Sequence, residues 1–145
     1  MRHSLRALVL SGVLLLGCGS GDPPTAPDAA PLAPGDMAPS GSGVMAQLRR
    51  TGYAVTGSVT LVVNGTAARL EFSPDFTIGQ TPGPTIYLNT TNNPNSGQPL
   101  RIGALRSNRG GQSYTFQIPA GAPAYSWVII WCAPVNVPMA EARLP

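Results

Sequence analysis

Two cysteines, Cys18 and Cys132, are the residues best suited to covalent or redox chemistry here, since a thiolate is the strongest nucleophile the composition offers. Cys132 closes the apolar run Val128-Ile129-Ile130-Trp131-Cys132. A cysteine so placed has three fates: a disulfide with Cys18, packing as a small hydrophobe, or service as a nucleophile or soft-metal ligand. Met139 is a second soft donor nearby in sequence, and equally a filler of core gaps. The rest of the inventory narrows the chemistry. The single histidine is His3 and there is no lysine. Beyond its first residues the chain cannot run histidine-based acid–base or triad catalysis, nor build the usual zinc site. Glu71 and Asp75 are too few and too local for a facing carboxylate pair, and read as strand-surface and turn residues.

The N-terminus decides what Cys18 is for. Arg2 and Arg6 precede an apolar stretch from Ala7 to Gly17, 11 residues long. That is short of the roughly 20 residues that span a bilayer, and it fits the core of a secretory signal. The stretch ends in Leu15-Leu16-Gly17-Cys18, which resembles a bacterial lipobox. The resemblance implies cleavage after Gly17 and a lipid on the sulfur of Cys18. Residues 1–17 are therefore expected to be a signal peptide, with the mature chain anchored to a membrane of the bacterial envelope. Gly19 is not the aspartate that marks inner-membrane retention in some bacteria, which favours the outer membrane. With Cys18 lipidated, Cys132 has no partner inside the chain. An unpaired cysteine in an exported protein is expected to be buried, capped, functional or bonded to a second copy.

Residues 18–43 are expected to form the anchor and a disordered tether. Between Gly19 and Gly43 stand six prolines, five glycines and five alanines, with no aromatic residue. Such a segment buries nothing, and in extended form it would reach on the order of 80 Å. Once the signal is removed, seven arginines face six acids, so charge gives no reason to expect a nucleic-acid partner.

Residues 44–145 carry the texture of a sheet protein. Val59, Leu61 and Val63 alternate with Ser58, Thr60 and Val62, and after Asn64-Gly65 the alternation resumes at Ala68, Leu70 and Phe72. This predicts a β-hairpin with a type I′ turn at Asn64-Gly65. Further strands are predicted over 85–89, 101–105, 113–118 and 125–132, with a closing strand within 135–144. No apolar period of 3.6 residues is sustained. The expected fold is all-β, an antiparallel β-sandwich of about eight short strands. Along the strand ending at Cys132, alternation puts Val128, Ile130 and Cys132 on one face, and Tyr125, Trp127, Ile129 and Trp131 on the other. Both faces are apolar, so the second needs a loop, a partner or a cofactor to cover it.

From about Tyr53 to Leu144 the sequence resembles the DM-thirteen domain, an electron-transfer family associated with DOMON domains. The resemblance rests on Gly57-Ser58-Val59-Thr60-Leu61-Val62, on the stretches PGPTIYLN and IGALRSNRGGQSYTFQIP, and above all on YSWVIIWCAP followed by EARL. It implies that Cys132 is the redox centre, as a free thiol or as the holder of a prosthetic group such as haem. Trp127 and Trp131 would then be packing or cofactor-face residues, and a redox protein the partner. The alternative left by the residues themselves is a non-enzymatic binding or structural module with an inert core cysteine.

Overall fold

The computed structural model describes residues 22–145. The expected signal peptide and Cys18, the expected lipidation site, lie outside the described residues. The strands are β1 (Val44–Gln47), β2 (Arg49–Arg50), β3 (Val55–Thr56), β4 (Ser58–Asn64), β5 (Ala67–Phe72) and β6 (Thr77–Ile78). They continue with β7 (Pro84–Asn89), β8 (Leu100–Ala104), β9 (Gln112–Gln117), β10 (Trp127–Cys132) and β11 (Val137–Arg143). The one helical element among the described residues is a 3-10 turn, Ala133–Val135.

These strands form two antiparallel sheets. One has the order β1-β4-β5-β9, the other β2-β11-β10-β7-β8; β3 and β6 make a small ribbon beside them. Alternation explains which residues face inward. In β5, Ala68, Leu70 and Phe72 are buried while Ala67, Arg69 and Glu71 are only partly so. They meet Ile86 and Leu88 of β7, and Val128, Ile130 and Cys132 of β10, in one core shared by both sheets. The molecule is therefore the expected all-β sandwich, with more and shorter strands than the eight anticipated. Seven of the eleven fall where the sequence placed strands; the other four, β1, β2, β3 and β6, have two to four residues each. An alternating pattern that short carries no signal.

Two local predictions need correction. The hairpin exists, with Asn64 paired to Ala67, but its turn is Gly65-Thr66 and not Asn64-Gly65. Gly65 has φ +62° while Asn64 and Thr66 keep negative φ, so the turn is of the II′ kind, with glycine first. Tyr125 does not join the outer aromatic strip. β10 begins at Trp127, so strand alternation does not extend back to Tyr125, which packs against the shared core instead.

β11 carries a proline inside a central strand, and the sheet accommodates it with a bulge. Ile130 pairs with Ala140 and Trp131 with Pro138, leaving Met139 as the extra residue. The bulge turns Met139 into the core, fully buried. Its carbonyl accepts the N–H groups of Thr51, Gly52 and Tyr53 at 3.4, 3.2 and 3.1 Å.

Part of the segment anticipated as a tether lies on the domain. Asp28 bridges Arg101 of β8 and Ala30 bridges Gln117 of β9. Ala29 packs on the shared core.

Candidate functional site

β10 is the central element of the site because it is paired on both sides. It lies between β7 and β11, with Cys132 opposite Pro84 on one side and Val137 on the other. Inward alternation puts the Cys132 side chain in the core at 0% exposure. It is a free cysteine, and its thiol donates to the carbonyl oxygen of Pro82 at 3.1 Å. The neighbouring Thr81 hydroxyl donates to the Met139 thioether at 3.2 Å. Two consecutive loop residues thus hold the two sulfurs of this corner of the core.

A thin cap covers Cys132. Its halves are Pro82-Gly83-Pro84, leading into β7, and the turn Ala133–Val135, leaving β10. They touch where Gly83, at φ +75°, lies against the Pro134 ring; an added Cβ would stand 2.9 Å from Cγ of Pro134. Only glycine meets both demands. Asn136 then ends the turn in the left-handed region, at φ +51°. Its Oδ1 accepts from the Trp131 indole at 3.0 Å and from Asn95 Nδ2 at 3.0 Å. The residue after the cap is therefore tied to the opposite face of the sheet.

That face carries the aromatic strip. Trp131, 6% exposed, packs with Tyr87 and Ile129, and Trp127 and Ala26 lie against them. The Arg143 guanidinium stands 5.8 Å from the Trp127 ring, within cation–π range. Trp127 and Trp131 share this cluster, whereas Cys132 points to the other side of the strand. The cover needed over the strip comes from the chain itself. Asn89 is wholly buried, and its Nδ2 donates to Thr91 Oγ1, Asn93 O and Ser96 O at 3.2, 2.8 and 2.9 Å. Those bonds curl residues 90–99 into a compact loop. Asn92 reaches Glu141 at 3.3 Å on the neighbouring strand, and Asn95 reaches Asn136. Burial pushes the Tyr87 phenol above its usual value, with Arg101 beside it pulling the other way.

Asn89, Asn136, Thr81 and Pro82 were not visible as site residues in the sequence. Asn89 carried one signal, an amide closing an apolar strand, where it must find several partners once buried. Asn136 carried another, since asparagine tolerates the left-handed region better than other non-glycine residues.

The arrangement can shield a thiol, hold it as a hydrogen-bond donor, and admit a reagent only if the cap moves. It does not fit a haem. The sulfur is enclosed by core side chains and by the Pro82 carbonyl, so a porphyrin bonded to it would have to displace one half of the cap. Among the described residues no cluster of three or more His, Cys, Asp or Glu side chains could hold a metal ion. A family model described as electron transfer DM13 matches residues 47–144. No curated protein and no solved structure matches the chain.

Proposed function

The chain belongs to the electron transfer DM13 family, and from that premise we propose that it is a bacterial cell-envelope lipoprotein whose domain passes electrons through a centre at Cys132. The observation that carries the reading is the position of this thiol. It is the free cysteine among the described residues, buried at the end of the central strand and bonded to the Pro82 carbonyl. Burial suits such a role. It protects the sulfur from over-oxidation to sulfinic and sulfonic acids, which exposed thiolates suffer. The signal-like residues 1–17 and the lipobox cysteine Cys18 support an anchor in the envelope, with the outer membrane preferred. A redox protein in the same compartment is the partner.

One observation favours a second reading. Cys132 is fully buried and already has a hydrogen-bond acceptor, as an inert core cysteine in a binding module would. Redox equilibration separates the two. The full chain with Cys18→Ser is brought to a series of potentials, quenched with an alkylating reagent and assayed for free thiol. With the glutathione couple setting the potential, the expected result is reversible loss and return of one thiol in the folded protein, as a mixed disulfide that forms when oxidised glutathione is attacked and one reduced glutathione leaves. A thiol that stays unchanged at every potential until the chain is unfolded would establish the inert reading. The visible spectrum of the same sample is expected to lack a haem band.

A further inference from the structure

Residues 26–36 precede the region matched by the family model, yet they are built into the sandwich. Each sheet ends in an edge strand, β8 in one and β9 in the other, whose outward backbone groups need partners. The chain satisfies both within four residues. Ala29 N–H donates to Arg101 O at 2.7 Å, Arg101 N–H to Pro27 O at 2.8 Å, and Gln117 N–H to Ala30 O at 2.7 Å. Around these bonds, the Arg101 guanidinium meets the Asp28 carboxylate at 2.7 Å. Gln117 Nε2 donates to Asp36 Oδ2 at 3.3 Å. Small side chains make the close approach workable: Ala29 rests on the shared core and Ala26 on the Tyr87–Ile129–Trp131 cluster.

We propose that the edges of β8 and β9, with Arg101 on β8, form a recognition site for an extended segment bearing a carboxylate followed by small residues. Residues 26–30 are its resident occupant, and a segment of this chemistry from a partner protein takes their place. This is strand addition, in which main-chain hydrogen bonds supply affinity and side chains supply selectivity. Arg101 selects the carboxylate, and the packing beneath selects alanine-sized neighbours.

Two features make the occupant exchangeable. Its hold is three backbone bonds, the packing of Ala26 and Ala29, the Gln117–Asp36 contact, and an ion pair whose Asp28 side chain is 72% exposed, the kind of pair that adds little. Against that stands the ordering of the whole segment, a cost of comparable size. Its continuation, Ser40-Gly41-Ser42, has the composition of a flexible link, and Gly43 beyond it packs against Leu61 of β4, so the segment can leave without disturbing β1. The proposal is independent of the redox reading, because Cys132 takes no part in it.

Tryptophan emission reports the exchange, since both tryptophans lie on the face that Ala26 covers. The protein is the full chain with Cys18→Ser, carrying Asp28→Arg or, separately, Ala29→Pro. The first sets like charges against each other; the second removes the N–H that reaches Arg101. Both variants are expected to shift emission to longer wavelength. A synthetic peptide of residues 22–32 should reverse the shift saturably, and the same peptide with Asp28→Arg should bind ~10-fold more weakly, because a guanidinium set against Arg101 both removes the pair and adds a repulsion. Unchanged emission in both variants, no saturable rescue, or equal binding of the two peptides would overturn the proposal. So would unfolding of both variants, because the segment would then be part of the core.

Discussion

The two faces of β10 are equally apolar in sequence and are buried by different means. The inner face, Val128, Ile130 and Cys132, meets a second sheet whose strands fix it in register. The outer face, Trp127, Ile129 and Trp131, is covered by irregular chain: the loop 90–99, curled around Asn89, and the segment near Ala26. Sheet-on-sheet cover is cooperative and rigid. Loop cover depends on a handful of hydrogen bonds and can open locally, which is where low-stability openings are expected in a folded protein. The sandwich thus has one face closed by a sheet and one closed by chain that can open.

The largest expected effect tests the inner face. Ile130→Ala should cost about 3–4 kcal/mol in urea unfolding, because the facing sheet cannot follow the lost methyls. Ile129→Ala on the outer face should cost only about 2 kcal/mol, the low end of the range for such truncations, because a loop can settle into the space. Equal losses would mean that the outer cover is packed as tightly as the core, and the contrast between the faces would fail.

Next comes Asn89→Ala, with an expected loss of about 2 kcal/mol from the buried polar groups left without their amide partner. Here the pattern matters more than the size. Hydrogen exchange should rise in residues 90–99 and leave β4, β5 and β10 protected; a uniform rise would sink the idea of a separately held loop.

Cys132→Ala should cost about 1 kcal/mol, the worth of one hydrogen bond, with Trp131 emission unchanged. A shift in that emission would show that the two faces are coupled through the strand.

The smallest effect at ordinary pH comes from one phenol on each face. Burial raises the phenols of Tyr87 on the outer face and Tyr114 on the inner one above the ordinary tyrosine value of about 10. As pH rises through about 10 the unfolded chain gives up these protons first, so stability should be level below about pH 9 and fall above it, by at most about 1.4 kcal/mol per pH unit for each phenol. Tyr87→Phe and Tyr114→Phe should each flatten that fall; an unchanged profile in either variant would remove its phenol from the account.

What was legible in the sequence follows the same division. The alternation of Val59, Leu61, Leu70, Phe72, Tyr114 and Phe116 specified the inner face because period-two burial is written in residue type. The apolar character of Trp127, Ile129 and Trp131 announced that something must cover them. The nature of the cover was not readable. Pro27-Asp28-Ala29-Ala30 has the composition of a linker, and its bonds run through backbone groups that every residue possesses. The bulge at Met139 was hidden for a related reason, since a register shift depends on the partner strand as much as on its own residues. For the site itself, the resemblance singled out Cys132, while its cap and the Asn136 tie emerged only from the fold.

The central claim is that Cys132 is the electron-carrying centre, and titration of the full chain with Cys18→Ser against glutathione redox buffers, read by intact mass, tests it most directly. The claim predicts one glutathione held as a mixed disulfide at oxidising potentials and released at reducing ones, with none held in Cys132→Ser while that variant keeps its strand signature in circular dichroism. A folded chain that takes up no glutathione at any potential, or takes it up without the thiol, would contradict it.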